Sequence, residues 1–191
     1  MKKLYVIAGC NGAGKTTASY TILPEMLDCK EFVNADEIAR GLSPFQPGKA
    51  SIEAGRLMLK RIKTLIESGE NFAFETTLAT KSYVNLIKKA KEKEYQTTLL
   101  FFWLYSPDLA VSRVKNRVKE GGHNIPEDVI RRRYTSGLKN FFKLYLPVTD
   151  NWLFVNNSGE IYEIIAEGSF EEITTSNKLL WNEIREKYYG N

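Results

Sequence analysis

Residues 9–16 read Gly9-Cys10-Asn11-Gly12-Ala13-Gly14-Lys15-Thr16 and match the pattern G-x-x-x-x-G-K-[ST] at every defined position. An apolar run typical of a strand precedes this stretch, and a helical pattern follows it. Its glycines let the backbone curl so that successive N–H groups point at one anion, and the helix adds the positive end of its dipole. The stretch therefore predicts a phosphate-binding loop, against the alternative of an ordinary glycine-rich turn.

Each part of this loop has an expected role toward a bound nucleoside triphosphate. Lys15 is expected to reach the β- and γ-phosphates and to take part in catalysis, and the Thr16 hydroxyl is expected to ligate Mg²⁺. The other expected nucleotide contacts lie in the loop and in the first helical turn: Gly9, Asn11, Gly12, Ala13, Gly14 and Thr17.

Strand-like apolar runs alternate with helical patterns along the chain. Five runs are predicted as strands, over residues 3–8, 31–34, 71–75, 97–105 and 152–156. The fourth run is almost entirely apolar, which is typical of a central parallel strand covered on both faces. The alternation predicts an α/β fold with a doubly wound, mostly parallel five-stranded sheet. Ligands bind beyond the carboxyl ends of such strands, so the residues after each strand are candidates for a site.

Helical patterns fill the intervals between these strands and the end of the chain, and they begin near residues 15, 51, 80, 107, 126 and 178. The patterns that begin at 51 and 178 are expected to end at 68 and 189. Thr80 is expected to cap the third of these helices. We predict one domain over residues 1–191, with an arginine-rich helical lid at about 108–146. A C-terminal hairpin and helix, at about 160–191, either pack on the sheet edge or offer a docking surface to a partner.

The second predicted strand ends in Asn34-Ala35-Asp36-Glu37, where a helix begins. Asp36 is thereby expected near the γ-phosphate, where a carboxylate can accept the proton of an attacking hydroxyl. Glu37 is a weaker candidate for the same role. The alternative is a capping box of Asn34 and Glu37, because acids favour helix N-termini. Position alone leaves both interpretations open.

The third predicted strand ends in Glu75-Thr76-Thr77, after three apolar residues. A carboxylate at this point is expected to be partly buried, which requires a compensating contact. Two roles fit Glu75: outer-sphere contact with Mg²⁺, or a hydrogen bond to the substrate. The alternative is a carboxylate that caps a neighbouring loop. The fourth strand does not end in a Walker-B aspartate, because Tyr105-Ser106-Pro107 follows it.

Arginines are concentrated in two helical patterns that a Gly-Gly pair separates. Arg113 and Arg117 lie four residues apart in the first pattern and so share one helix face. Arg131, Arg132 and Arg133 lie early in the second pattern, where at most one or two of them can face one site. Cations stabilise a γ-phosphate in transfer, and small kinases supply them from a closing lid. The alternative for each arginine is a solvated basic face.

Composition excludes several classes of protein. The formal net charge of the 191 residues is +4, which suits anionic small substrates and is low for the basic, aromatic groove of a polynucleotide-binding protein. A nucleic acid is therefore not expected as the partner. No apolar run approaches the roughly 18 residues of a membrane helix, so no membrane contact is expected.

Cys10 and Cys29 are the only cysteines and His123 is the only histidine, which excludes a disulfide framework and argues against a zinc site. A reducing cytoplasm is the expected location. Cys10 lies in the phosphate-binding loop, where a helix N-terminus can lower the pKa of a thiol. It is read either as a redox-sensitive thiol or, in the favoured interpretation, as a small residue that fits the loop.

Taken in order, these motifs resemble the zeta-toxin-like P-loop kinase family over about residues 1–160. The resemblance rests on the phosphate loop with Asn11, Asn34-Ala35-Asp36, Ala54-Gly55-Arg56, Phe74-Glu75-Thr76-Thr77-Leu78, the run Arg113…Arg117…Gly121-Gly122-His123, and Arg133-Tyr134. The loop alone is widely shared, whereas the ordered set is much more specific. Characterised members of the family are toxins of toxin–antitoxin systems that phosphorylate the 3′-hydroxyl of UDP-N-acetylglucosamine with ATP.

The resemblance implies that Lys15 and Thr16 hold ATP and Mg²⁺ and that Asp36 is the general base. It also implies that Glu75 and Thr76 contact the acceptor. Arg56 is expected to point towards the substrate, with packing against an acid as the equal alternative.

The resemblance further implies that one arginine of the Arg113/Arg117 pair and one of the 131–133 run steady the γ-phosphate. We assign Arg117 and Arg133 to catalysis and Arg113 to the nucleotide. A small antitoxin protein is the implied partner.

The chain is shorter than the well-studied toxins of the family, which leaves less material for a sugar-nucleotide pocket. The loop over residues 41–48 is expected to shape the acceptor site. Two other functions stay open: a kinase for another acceptor, such as a nucleoside, another sugar or an RNA end, and a regulatory ATPase that has no acceptor. A regulatory ATPase would hydrolyse ATP without transferring phosphate to an acceptor.

Overall fold

The computed structural model describes residues 1–122, 124–169 and 172–190. The strands are β1 (Lys2–Gly9), β2 (Glu31–Val33), β3 (Phe72–Thr76), β4 (Tyr95–Trp103), β5 (Asn151–Asn156), β6 (Glu163–Ser169) and β7 (Ile173–Thr175). The α-helices are α1 (Lys15–Thr21), α2 (Ala35–Leu42), α3 (Ser51–Ser68), α4 (Ser82–Glu92), α5 (Pro107–Lys119), α6 (Glu127–Asn140) and α7 (Lys178–Tyr189). Two π-helical turns, Ile22–Met26 and Phe141–Tyr145, continue α1 and α6. His123, expected in the loop before α6, lies outside the described residues.

One sheet contains all seven described strands, in the order β2-β3-β1-β4-β5-β6-β7. Strands β1 to β5 pair in parallel, and β6 and β7 add to the edge in antiparallel pairing. The predicted α/β fold with a mostly parallel sheet is confirmed. The predicted number of five strands is wrong, because the C-terminal segment adds β6 and β7 to the same sheet.

The pairing of β1 with β3, and of β3 with β2, decides where the site forms. In the parallel register Ala8 lies opposite Thr76, and Val33 lies opposite Phe74. The carboxyl ends of the three strands therefore meet at one edge of the sheet. The phosphate-binding loop, Asn34 and Glu75 follow or end these strands, so the fold brings them together.

The central strands are buried on both faces. Five consecutive residues of β1, from Leu4 to Ala8, are buried, and so are residues 99–103 of β4. Successive side chains of a strand point to opposite faces, so helices must cover both sides of the sheet. This arrangement agrees with the almost uninterrupted apolar character of the β4 sequence.

Helix α3 has the bounds that its sequence pattern predicts. Its buried face consists of Ala54, Met58, Ile62, Leu65 and Ile66. It ends where Gly69 takes the left-handed conformation with φ of 76°. No helix in the described parts of the chain combines the length and the apolar character needed to cross a membrane.

The C-terminal appendage packs on the sheet through aromatic side chains. Trp181 of α7 stacks on Trp152 of β5 with ring centroids 5.2 Å apart, and its ring also lies 5.4 Å from that of Phe142. Ile184 and Tyr188 of α7 are buried as well. The C-terminal segment was expected either to pack on the sheet edge or to offer a docking surface. The structure shows that α7 packs on the sheet.

The start of α4 differs from the prediction that Thr80 caps it. Lys81 is the N-cap residue and makes no capping side-chain hydrogen bond. The Thr80 hydroxyl lies 2.9 Å from the Ser82 hydroxyl, and the Thr80 carbonyl accepts a hydrogen bond from the Tyr145 phenol. Thr80 therefore belongs to the connection between β3 and α4, which tertiary contacts hold.

Tyr134 offers a test of how firmly α6 is held to the sheet. Its hydroxyl donates to the Leu104 carbonyl at 2.6 Å, and the residue is 4% exposed. Tyr134→Phe leaves a buried carbonyl without its donor, so we expect the free energy of unfolding to fall by about 1–3 kcal/mol in urea titrations. Tyr105→Phe is the control, because Tyr105 is 64% exposed. Equal stability of both variants would contradict this role of the hydrogen bond.

Candidate active site

The loop between β1 and α1 has a backbone that only glycines adopt readily. Gly9, Gly12 and Gly14 have φ of 140°, 80° and 79°. A Cβ on Gly12 would lie 2.8 Å from the Ala110 carbonyl oxygen, and a Cβ on Gly14 would lie 2.5 Å from Asn157 Nδ2. Gly14 is the N-cap of α1, so the first unpaired N–H groups of the helix open onto the loop. This is the geometry of an anion-binding loop at a helix N-terminus.

Glu75 joins the ends of three strands at this edge. Its Oε2 accepts hydrogen bonds from Thr16 Oγ1 at 2.7 Å and from Asn34 Nδ2 at 2.9 Å. Its Oε1 lies 3.3 Å from Lys15 Nζ, which also donates to the Cys10 carbonyl at 3.0 Å. The side chains of Lys15 and Glu75 are only 5% and 11% exposed, so each charge compensates the burial of the other. The expected partly buried carboxylate thus contacts the expected Mg²⁺ ligand, Thr16.

The contacts of Asn34 bear on both interpretations of the residues that begin α2, a general base at Asp36 and a helix cap. Its Oδ1 accepts from the backbone N–H groups of Asp36 at 2.8 Å and of Glu37 at 3.4 Å, so Asn34 caps the helix. The Glu37 carboxylate lies 3.3 Å from Arg40. The Asp36 side chain is exposed, and within the described parts of the chain it forms no hydrogen bond or ion pair. Capping by Asn34 therefore leaves the Asp36 carboxylate available to a ligand.

Three cavities meet at Asp36, which lines all of them. The loop cavity, of about 230 Å³, runs along the phosphate-binding loop, and the β3 cavity, of about 210 Å³, lies beside the connection between β3 and α4. The α2 cavity, of about 170 Å³, lies beside α2. Lys15 and Glu75 line both the loop cavity and the β3 cavity, so these two spaces share one charged boundary.

Most of the residues expected to contact a nucleotide line the loop cavity: Asn11, Gly12, Gly14, Lys15, Thr16, Thr17 and Arg113. Gly9 and Ala13 do not line it. The Ala13 carbonyl instead accepts a hydrogen bond from Asn157 Nδ2 at 2.8 Å. Thr76 lines the β3 cavity, and its hydroxyl accepts from the Leu78 N–H at 3.0 Å.

Two arginines of the predicted lid reach the cavities around Asp36. Arg133 lines the β3 and α2 cavities, and its Nη1 donates to Asn11 Oδ1 in the phosphate-binding loop at 3.2 Å. Arg117 lines the loop and α2 cavities. The residues assigned to catalysis from the sequence, Lys15, Asp36, Arg117 and Arg133, are therefore brought to one place.

Arg113 lines the loop cavity, but carbonyl groups of the β5 end hold its guanidinium. Nη1 donates to the Asn157 carbonyl at 2.7 Å and Nη2 to the Ser158 carbonyl at 3.1 Å. This contact ties α5 to the residues after β5, and Asn157 in turn holds the phosphate-binding loop at Ala13. Arg113 thus stabilises the wall of the loop cavity.

The remaining candidate cations lie away from the cavities around Asp36. Arg131 pairs with Asp108 at 2.6 Å and with Glu127 at 2.7 Å. Arg132 is exposed. Arg56 is exposed on α3 and lines none of the three cavities. The structure therefore does not bring Arg56 to the acceptor residues Glu75 and Thr76.

Sequence reasoning did not assign several residues that shape the site. Asn34 and Asn157 each follow a strand at the carboxyl edge, and that position was the available signal. Met58 and Tyr83 line the far end of the β3 cavity, and the Tyr83 hydroxyl lies 3.6 Å from Met58 Sδ. These two residues look like ordinary members of apolar helix faces, so the sequence contains no signal for them.

Cys10 shows the environment of a packed residue. It is 5% exposed, and burial raises the pKa of its thiol to about 11, although Lys15 opposes this rise. Burial likewise raises the pKa of Cys29 to about 11. A neutral, inaccessible thiol is a poor nucleophile. Of the two interpretations of Cys10, the structure favours the small residue that fits the loop.

The strand order, the glycine loop before α1 and the charged residues at the carboxyl edge define a P-loop protein of the kinase type. The sequence profile of the zeta toxin family matches residues 1–169, and the chain belongs to this family. An uncharacterized protein of Haemophilus influenzae is 33% identical over 141 residues, which are 70% of this chain and 98% of that protein.

Solved structures share the fold at low sequence identity. The AvrRxo1-ORF1:AvrRxo1-ORF2 complex, with sulphate ions and with ATP, gives TM-scores of 0.78 and 0.76 at 18% identity. The similarity covers 96% of this chain and 63% of that chain, so this protein spans less than two thirds of its length. A structure from the PezAT chromosomal toxin–antitoxin system of Streptococcus pneumoniae gives a TM-score of 0.70 at 15% identity, covering 100% of this chain and 79% of that chain.

The raised thiol pKa values predict slow alkylation. Because the thiolate is the reactive form, we expect iodoacetamide to modify Cys10 and Cys29 slowly at pH 7.5 in the folded protein. The rate should rise about tenfold per pH unit until the pH approaches 11, as long as the fold persists. Peptide mass spectrometry measures this rate, with protein unfolded in urea as the control. Fast alkylation of Cys10 at neutral pH would restore the redox-sensitive interpretation.

Proposed function

We propose that this protein is an ATP-dependent kinase that transfers the γ-phosphate to a hydroxyl group of a small molecule. The observation that carries the proposal is the position of Asp36, whose exposed carboxylate lines both the loop cavity and the β3 cavity. A phosphate donor on the loop and a hydroxyl acceptor in the β3 cavity would meet at this carboxylate. An ATPase that has no acceptor does not need the second cavity.

ATP is the proposed donor, with its phosphates along the loop cavity. The backbone N–H groups of the loop and the Lys15 ammonium would bind the phosphate oxygens. Family membership supports this donor, and the AvrRxo1-ORF1:AvrRxo1-ORF2 complex, which shares the fold, has been solved with ATP.

Mg²⁺ fits the oxygen atoms beside the loop. Thr16 Oγ1 and Glu75 Oε2 lie 2.7 Å apart, and Mg²⁺ favours oxygen ligands that include waters and phosphate oxygens. Thr16 would be the direct ligand, and Glu75 would accept hydrogen bonds from the waters around the ion. When bound, the ion supplies positive charge to the phosphate oxygens.

Asp36 is proposed as the general base. Its carboxylate would hydrogen bond to the acceptor hydroxyl and take its proton as the oxygen attacks the γ-phosphorus. Arg117 and Arg133 approach the same point from α5 and α6 and would stabilise the negative charge on the transferred phosphoryl group.

A sugar nucleotide such as UDP-N-acetylglucosamine is the proposed acceptor. Membership of the zeta toxin family supports this class. The β3 cavity supports it too, because three hydroxyl-bearing residues, Thr76, Thr77 and Thr80, line it.

A small antitoxin protein is the proposed partner. The zeta toxin family supports this assignment, and so do the two structural relatives. The AvrRxo1-ORF1:AvrRxo1-ORF2 structure is a complex of two proteins, and the Streptococcus pneumoniae structure comes from the PezAT toxin–antitoxin system. Co-expression of this chain with the product of an adjacent small reading frame, followed by size-exclusion chromatography, tests the assignment.

Asp36→Asn tests the proposed function directly. With Mg·ATP and UDP-N-acetylglucosamine, we expect the wild type to give a new phosphomonoester signal in phosphorus NMR. Loss of the general base should slow its appearance about 10²–10⁴-fold. Glu37→Gln is the matched control, because Glu37 is the rival carboxylate and is expected to keep wild-type activity.

Two results would contradict parts of this assignment. ATP converted only to ADP and inorganic phosphate would exclude this acceptor and require an unbiased metabolite screen. A new phosphomonoester that persists in Asp36→Asn and disappears in Glu37→Gln would move the base to Glu37.

Arg133 and Arg131 form a matched pair on one helix. Because Arg133 lines the cavities at Asp36 and Arg131 is held by acids, Arg133→Ala should lower kcat about 10³-fold and Arg131→Ala less than about threefold. Steady-state rates with the wild type as reference measure both effects. Equal losses in the two variants would indicate a general effect on α6.

A further inference from the structure

The connection between β3 and α4 has a strained turn at Leu78, which is completely buried. Leu78 has φ of 53°, in the left-handed region that residues with a side chain rarely adopt. Its side chain is 0% exposed. Such a conformation persists only where the surrounding structure fixes it, and residues of this kind cluster at functional sites.

Side chains from distant parts of the chain fix this turn. Asn140 Nδ2, at the end of α6, donates to the Leu78 carbonyl at 2.6 Å. The Tyr145 phenol donates to the Thr80 carbonyl, also at 2.6 Å. Burial raises the pKa of Tyr145 far above its ordinary value, so this phenol remains a donor at neutral pH.

The backbone of α6 also touches the turn. A Cβ on Gly137 would lie 2.5 Å from the Thr77 carbonyl oxygen. Glycine at this position therefore lets α6 approach the turn more closely than any other residue would. Together with the Asn140 hydrogen bond, this contact means that α6 fixes the conformation of the turn.

The turn faces the β3 cavity. Thr77, Ala79 and Thr80 line this cavity, with Met58 and Tyr83 beside them. These residues carry hydroxyl and apolar groups and no charge. The charged residues of the cavity are Lys15, Asp36, Glu75 and Arg133, and each of them also lines at least one neighbouring cavity. The cavity therefore has a charged end at the phosphate loop and an uncharged end at the turn.

We propose that Asn140 is a positioning residue for the acceptor wall, the part of the β3 cavity that Thr77, Ala79 and Thr80 line. Asn140 does not line the cavity and acts through the Leu78 carbonyl. The proposal rests on the proposed kinase function. It places part of the acceptor selectivity on α6, the helix that also carries Arg133.

Asn140→Asp and Asn140→Ala test the positioning role. Asp has the shape of Asn but presents no N–H to the Leu78 carbonyl, so it removes the hydrogen bond with little change in volume. The assay transfers label from γ-labelled ATP to a deproteinised cell extract, which serves as the acceptor pool. At dilute extract we expect label transfer to fall about 10- to 100-fold in both variants, because a displaced wall misplaces the acceptor hydroxyl. The loss should diminish as the extract is concentrated.

A merely structural role would show in other readouts. We expect the dissociation constant of ATP to remain at the wild-type value. The Tm of Asn140→Asp should fall about as much as that of Tyr134→Phe, because each substitution removes one donor from a buried carbonyl. Tyr145→Phe is the independent variant if Asn140 substitutions do not fold, because it removes only the hydroxyl that holds Thr80.

Gly137→Ala approaches the same wall from the helix backbone. Its new methyl group meets the Thr77 carbonyl, so transfer at dilute extract should fall as in Asn140→Asp. Gly55→Ala is the matched control, because it adds a methyl group to helix α3 with nothing within 4 Å. It is expected to keep wild-type transfer.

The outcomes separate this proposal from the proposed function. A wild type that labels no compound overturns the kinase assignment and this proposal with it. A wild type that labels its acceptor, with Asn140→Asp and Gly137→Ala equally active at dilute extract, overturns the acceptor wall alone. Parallel losses of ATP binding and of transfer would make Asn140 structural and would also overturn its positioning role.

Discussion

A carboxylate that is only 11% exposed requires partners, and those of Glu75 lie at the start of α1 and directly after β2. Lys15 supplies the opposite charge, and Thr16 and Asn34 supply hydrogen bonds. Removing one partner of a buried ion pair costs roughly 3–5 kcal/mol, because it leaves the other charge uncompensated. The contacts that stabilise this edge of the sheet therefore also bring together the lysine and the hydroxyl that a nucleotide and Mg²⁺ would need. The position of Asp36 depends on the same network, since Asn34 both contacts Glu75 and caps α2.

The cations near the site divide into structural and available groups. Arg113 is held by the carbonyls after β5, and Arg131 is held by acids on α5 and α6. Arg133 contacts the phosphate loop through Asn11 and lines the cavities at Asp36. An arginine-rich sequence thus contains arginines of different roles, and only their partners tell them apart. Spacing on one helix face predicts which arginines are neighbours, but it does not predict which carbonyl or carboxylate holds each one.

Local patterns predicted the elements that have local causes. Helix α3 and helix α7 have the predicted bounds because their apolar periodicity ends at clear boundaries. The phosphate loop was predicted from its sequence motif. Asp36 and Glu75 were predicted as site residues because parallel strands end at one edge of the sheet. Strand β7 was missed because it has only three residues, and its Ile173 is 55% exposed. The Asn140 contact with Leu78 spans 62 positions, so no local pattern could indicate it.

Helix α6 connects the two halves of the proposed reaction. Its Tyr134 hydroxyl holds it to the end of β4, and its Asn140 holds the turn beside the β3 cavity. Arg133 lies between these anchors on the same helix and points to the phosphate loop. A cation on a fixed helix needs little reorganisation when charge develops on a phosphoryl group. Any displacement of α6 would therefore change the arginine and the acceptor wall together, which couples the binding of the acceptor to the stabilisation of the transferred phosphate.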